Sequence, residues 1–188
     1  MEIGVGSWDM SRAKYFLNNE DCKVTLIEPN KNFYNTLNKH RNEHKNLEIK
    51  NLAIGDSVTC LKFYDYGQES YLEGVIPPLS KFGPAPTDNA APVNVVTMKE
   101  IDDGAIDILL ADVEGSEWFI LKNLISRPRI IALETHCEAE YTNPNIEKIW
   151  DWMNKNTYKV LFKNTTDSFY IRGDDYGWGK GGNTNWRC

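Results

Sequence analysis

Two spacings of apolar residues take turns along the chain. Lys23 to Ile27 (KVTLI) and Leu47 to Ile54 (LEIKNLAI) are short β-branched runs that read as strands. Between them, Asn30 is placed to cap a helix whose apolar side carries Phe33 and Leu37. Ile106 to Ala111 (IDILLA) predicts a buried strand, followed from about Ser116 by a helix bearing Trp118, Phe119, Leu121, Leu124 and Ile125. Arg129 to Leu133 (RIIAL) is the next strand, and Pro144 to about Asn156 the next helix, with its proline near the first turn. Tyr158 to Phe162 and Ser168 to Arg172 close the pattern as two strands around the polar turn Lys163 to Asp167. Strands alternating with helices predict an α/β fold with a mainly parallel sheet, to which the closing hairpin adds an antiparallel edge.

Two stretches break the alternation. Gly67 to Pro92 holds five prolines among polar and small residues and reads as a long loop or insertion. Gly173 to Cys188 is a tail rich in Gly, Trp and Asn, read either as a loose terminus or as a flap in which Trp178 or Trp186 covers a pocket. With 188 residues, 41% of them hydrophobic, the chain supports one buried core and a single domain over residues 1–188.

Charge and cysteines narrow the classes of partner. A net charge of −6 opposes unassisted binding to a phosphate backbone, so nucleic acid is excluded as a partner. No apolar run approaches the roughly 20 residues of a membrane helix, and acidic Glu2 follows Met1 without a leader pattern. A soluble, cytoplasmic protein with no membrane partner is expected. Cys22, Cys60, Cys137 and Cys188 are far apart without a CxxC pair, which predicts reduced, metal-free thiols.

Candidate chemistry begins at Glu2-Ile3-Gly4-Val5-Gly6, where a first strand should turn and where glycines let a ligand approach the backbone. Glu28 ends the second strand, in position to accept hydrogen bonds from both ribose hydroxyls of a nucleoside cofactor. A dinucleotide fingerprint starting at Gly4 would need a third glycine where this chain has Asp9. A carboxylate beside a pyrophosphate is electrostatically unfavourable, whereas a cationic nucleoside without phosphates suits an acidic rim. The densest segment is Leu110 to Glu117 (LADVEGSE), in which Asp112, Glu114 and Glu117 crowd together at a strand end. Such carboxylates repel unless a cation or a proton-bearing ligand is near, although Glu117 could also serve the first turn of a helix.

These segments together resemble the ordered motifs of FkbM-type methyltransferases. Glu2-Ile-Gly4, Ile27 to Asn30 (IEPN) followed by Phe33 and Leu37, Ala53 to Asp56 (AIGD), Val95 to Met98 (VVTM), Ala111 to Glu117 (ADVEGSE) and Ala132 to His136 (ALETH) carry the resemblance, from Glu2 to about Arg172. It implies a Rossmann-like class I methyltransferase sheet, S-adenosylmethionine as cofactor, and methyl transfer usually to a hydroxyl oxygen on a sugar or other natural product. Cofactor contacts are then expected from Glu2, Gly4, Gly6, Ser7, Glu28, Pro29, Asn30, Ala53, Asp56 and Asp112. The chain departs from the family pattern where Gly6 takes the usual place of an Asn and Trp8 that of a further glycine, an indole that would line or obstruct the methionine end of the site. Only Met1 precedes Glu2, so either this is a minimal form or the pocket is completed by the proline-rich loop, the tail or a second subunit of a homo-oligomer.

A hydroxyl acceptor has to lose a proton, and His136 is the first candidate base because its ordinary pKa lies near neutrality. Glu114 and Glu134 are alternative bases, and Asp112 orients the cofactor or the acceptor. Asp112, Glu114, Glu134 and His136 could ligate a hard cation, but no fixed spacing demands one and no metal is assigned. The acceptor is expected to be a small molecule or a glycan. Two other functions stay open: a methyltransferase-like binding module without chemistry, motivated by Trp8 and the short start, and an NAD-dependent dehydrogenase, disfavoured by Asp9.

Overall fold

The structure, a computed structural model, describes residues 1–173, so the tail beyond Gly173, with Trp178 and Trp186, lies outside the described residues. A seven-stranded mixed sheet forms the centre. Its strands are β1 (Glu2–Ile3), β2 (Val24–Ile27), β3 (Leu47–Lys50), β8 (Ile108–Ala111), β9 (Ile130–Glu134), β10 (Tyr158–Lys163) and β11 (Asp167–Arg172), in the order β10-β11-β9-β8-β1-β2-β3. From β3 to β9 every pairing is parallel; β11 joins β9 antiparallel and β10 joins β11 antiparallel. The predicted edge hairpin is therefore present, with its second strand next to the parallel part.

Side-chain alternation explains how this sheet is covered on both faces. Ile3, Ile27, Leu109, Ala111, Ile131 and Leu133 pack on one side with α2 (Glu117–Leu121) and α3 (Ile146–Lys155), where Ile146, Ile149, Trp150 and Met153 make an apolar stripe at helical spacing. Their neighbours Leu26, Leu110 and Ala132 face the other way, against Leu17 from the 3-10 segment Ala13–Asn18 and Leu37 from α1 (Lys31–Leu37). Asn30 caps α1 as predicted, its side-chain oxygen accepting the N–H groups of Asn32 (2.9 Å) and Phe33 (3.4 Å).

The predicted strand Leu47 to Ile54 is two strands. After β3 the chain leaves the main sheet because the Asn51 amide donates to the carbonyls of Glu28 and Pro29, both at 2.9 Å. It resumes as β4 (Ala53–Ile54) in a second sheet with β5 (Thr59–Tyr64), β6 (Tyr71–Leu72) and β7 (Ala90–Val96), ordered β4-β7-β5-β6. The stretch read as a proline-rich loop thus contains β6, the start of β7 and the 3-10 segments Gly67–Glu69 and Pro78–Phe82. Pro92 is tolerated inside β7 because β4 pairs only with Val95 and Val96, leaving one side of Pro92 open.

The helix expected through Ile125 stops at Leu121. Buried Asp102 ends it: its carboxylate accepts the N–H groups of Ile125 and Ser126, each at 2.7 Å, and of Gly104 at 2.9 Å, together with the Ser126 hydroxyl. The thiol expectation holds for Cys22 and Cys60, which are free, and fails for Cys137, which is disulfide-bonded. That bond sits poorly with the reducing compartment expected from the sequence. No helix among the described residues is long and apolar enough to cross a membrane.

Because Asp102 serves four donors at a buried corner, Asp102→Ala leaves them without an acceptor and should cost roughly 2–4 kcal/mol. A thermal melt should fall by roughly 5–15 °C; an unchanged melting temperature would remove Asp102 from this role.

Candidate active site

A cavity of about 290 Å³ opens at the carboxyl ends of β1, β2, β8 and β9, near the lower end of the range for small-molecule sites. Its position follows from one backbone contact. Gly4 adopts φ +75°, and a Cβ there would lie 1.6 Å from the carbonyl oxygen of Asp112, so the turn after β1 and the end of β8 meet main chain to main chain. Gly115, at φ +100°, allows a second close approach: a Cβ would sit 2.8 Å from the carbonyl oxygen of Ile76, which Tyr141 also holds through its hydroxyl at 2.8 Å.

Of the residues predicted to contact a cofactor, Gly4, Gly6, Glu28, Pro29, Ala53 and Asp112 line this cavity. Glu28, only 4% exposed, accepts the Gly6 N–H on one oxygen and the Asn30 N–H on the other, both at 2.7 Å. Burial pushes its pKa up to about 7, against the pull of the backbone donors of Gly6, Asn30 and Val5.

The other four expected contacts do not line the cavity. Glu2 is buried beneath it, accepting the Ser11 hydroxyl (2.6 Å) and the N–H groups of Arg12 (3.0 Å) and Ala13 (3.1 Å), and so it anchors the segment after the first turn. Asn30 is occupied by the α1 cap and by Asp65, to which its amide donates at 2.8 Å. Asp56 is exposed and paired with Lys122, and Ser7 uses its carbonyl to accept the Met10 N–H at 3.1 Å. Trp8 neither lines nor blocks the cavity; it stacks on His40 with ring centroids 4.1 Å apart.

The acidic segment divides by function. Glu117, fully buried at the start of α2, accepts the Gly115 N–H at 3.2 Å and the Asn143 amide at 2.6 Å, so the helix-start reading is correct for it. Burial raises its pKa to about 7. Asp112 and Glu114 face the cavity with Glu134 and His136. Burial and the charge of Glu134 raise Glu114 to about 8 despite the nearby imidazole. Asp112 and Glu134 behave as a pair: burial and the neighbouring carboxylates push Asp112 far up, while His136 and Asp112 more than offset burial and hold Glu134 down.

His136 ends up between carboxylates, its Nε2 3.5 Å from Glu134 and its Nδ1 3.3 Å from Glu138. Burial lowers its pKa, but Glu134, Glu138 and Glu114 outweigh burial and raise it above the ordinary value. The surrounding carboxylates stabilise the protonated imidazole, so its neutral form is less available than that of an unperturbed histidine. Both Glu114 (φ +51°) and His136 (φ +40°) hold left-handed backbone, a strained conformation that clusters at functional sites.

Sequence reasoning missed the residues that close the cavity from above. Phe63, Tyr71, Leu72, Pro78, Leu79 and Lys81 come from the second sheet and from the supposed loop, and Met10 from the turn after β1. The one available signal was the uncommitted proline-rich stretch, which had been expected on the substrate side.

Comparison with known proteins agrees with this architecture. The pattern that defines the methyltransferase FkbM domain matches residues 3–160. No curated protein sequence matches the chain. Among solved structures, the methyltransferase FkbM from Methylobacillus flagellatus KT is similar with a TM-score of 0.56 at 15% sequence identity, a likeness of fold. It spans 90% of this chain and 42% of that one. With the domain pattern covering most of its length, the chain belongs to the FkbM methyltransferase domain family.

Proposed function

We propose that the chain transfers a methyl group from S-adenosylmethionine to a hydroxyl oxygen of a small molecule or glycan, on a Rossmann-like class I methyltransferase sheet. The observation that carries this reading is the single cavity in which Glu28 stands across from Asp112, Glu114 and Glu134. Such crowding suits a nucleoside that bears positive charge and no phosphate, and it disfavours the pyrophosphate of a dinucleotide. Glu28 fits the ribose: its two carboxylate oxygens face the cavity from the end of β2, and the backbone N–H groups that hold them do not use up their capacity to accept hydroxyls.

Bound there, S-adenosylmethionine supplies an electrophilic methyl group on a positively charged sulfur. Glu28 and the Gly4 to Gly6 turn hold the nucleoside, and Asp112 orients the methionine portion. Phe63, Tyr71 and Leu72 exclude water from above. The acceptor lies against the Glu114, Glu134 and His136 wall, its hydroxyl proton passes to the ionised Glu134 carboxylate as the oxygen takes the methyl group, and positioning it in line can supply up to roughly 7–11 kcal/mol of the acceleration. The reading as a module without chemistry loses the support of Trp8, which does not line the cavity.

A labelled-methyl transfer screen against glycans and small hydroxylated metabolites tests the reading. Label on an acceptor oxygen is the expected result; cofactor binding with no labelled hydroxyl compound contradicts it. Glu28→Ala should lose roughly 1.5–3 kcal/mol of S-adenosylmethionine binding in calorimetry, as expected for a charged acceptor of hydrogen bonds. An affinity equal to that of the unaltered chain would put the ribose elsewhere.

The pKa of Glu28 gives a second, signed test. Only its ionised form accepts both hydroxyls, and ionisation requires pH above about 7. Affinity for S-adenosylmethionine should therefore rise about tenfold from pH 6 to pH 8 and then level off, the behaviour of one group titrating near neutrality. Glu28→Gln should flatten that profile, and a profile left unchanged by the substitution would assign the titration to another group.

A further inference from the structure

Among the described residues, Glu114, Glu134 and His136 offer ligand atoms that all lie within 4.8 Å of one another. Carboxylates alone would mark only a region of negative charge. The imidazole adds a separate observation: His136 is 8% exposed, lines the cavity wall, and its buried Nε2 makes no hydrogen bond. Glu134 Oε2 is 3.5 Å from that nitrogen, close enough for charge attraction. A buried polar atom without a hydrogen bond is costly and calls for an explanation, an unseen ion among them.

The other ring nitrogen shows which form of the imidazole the surroundings favour. Nδ1 is 3.3 Å from Glu138 Oε2, and Glu138 is itself paired with Lys81 at 3.4 Å. A carboxylate on Nδ1 favours a proton there, so that a cation displacing the proton from Nε2 meets a lone pair on the side of Glu134. Metal-binding histidines are oriented and made more basic by this carboxylate–imidazole relay.

We propose that Glu114, Glu134 and His136 bind a divalent cation through one oxygen of each carboxylate and the imidazole Nε2. Two hard oxygens and one nitrogen suit Mn²⁺ or Mg²⁺ better than a thiolate-seeking metal. Three protein donors leave the remaining positions of a roughly six-coordinate ion open to the cavity. Two adjacent oxygen atoms of an acceptor can fill them, which narrows the acceptor to a vicinal diol or an α-hydroxycarboxylate. This narrowing rests on the methyl-transfer reading above; the cation site itself does not. In this arrangement His136 is a ligand.

The test titrates Mn²⁺ into the purified full chain, without cofactor or acceptor, and reads free ion by electron paramagnetic resonance. Saturable uptake is expected, with His136→Ala abolishing it at the same concentrations. Glu138→Gln keeps all three ligands and removes the orienting carboxylate, so it should weaken uptake by roughly 10- to 100-fold; it also carries the test should His136→Ala fail to fold. No uptake by the unaltered chain, or uptake unchanged in Glu138→Gln, overturns the site. S-adenosylmethionine binding, measured separately by calorimetry, separates the two failures. Cofactor binding without Mn²⁺ uptake sinks the cation and leaves methyl transfer standing, while Mn²⁺ uptake without cofactor binding supports the site and overturns the acceptor assignment.

Discussion

Glu2 and Ile3 are only two residues, yet they join the halves of the main sheet, pairing with β2 on one side and β8 on the other. Everything at the site depends on the close approach that follows. Gly4 lies against the main chain of Asp112, where any side chain would collide with a carbonyl oxygen. This contact ends β1 between β2 and β8, so that Glu28 and Asp112 come to line the same cavity from either side of it. Parallel strands deliver their carboxyl ends to one edge of the sheet, so the acidic residues that terminate them gather there without any long-range sequence signal.

Gathering them has an electrostatic cost that the unliganded fold meets with protons. Glu28, Glu114 and Glu117 all titrate above the ordinary carboxylate value, with burial as the leading cause. For Glu28, with a folded pKa of about 7 against 4.5, the linked stability is full below 4.5 and is lost as pH rises through 7. The site therefore holds protons on its carboxyl groups near neutrality, and a cationic ligand can take their place. The same argument supports a sulfonium cofactor on one side of the cavity and a divalent cation on the other, with Lys81 and Glu138 tying the roof segment to the imidazole between them.

Legibility in the sequence followed the range of the forces involved. The parallel strands, α3 and the Asn30 cap were readable because their periods and caps are local. That Glu28, Asp112 and His136 would meet at one crevice was readable because a strand end in an α/β pattern has a predictable location. Glu2 and Asn30 were misassigned to the cofactor because a motif says which residues recur but not which way they turn; both spend their oxygens on nearby backbone N–H groups. Asp56 turned outward to Lys122, a partner far away in sequence. The second sheet was hidden by prolines and by strands as short as two residues, one of which, β4, finds its partner β7 only after the whole of β5 and β6. Asp102 likewise gave no sign that it would end α2 early, since its partners lie more than twenty residues downstream.

The central claim is that one cavity, formed where β1, β2 and β8 end and roofed by the segment around Tyr71, receives the cofactor. Hydrogen exchange of the chain with and without S-adenosylmethionine tests it most directly. Slower exchange is predicted together at Gly6, at Asn30, along Asp112 to Gly115 and in the Gly67 to Leu72 segment. Protection confined to the opposite end of the sheet, or none at any of these amides, would contradict the account.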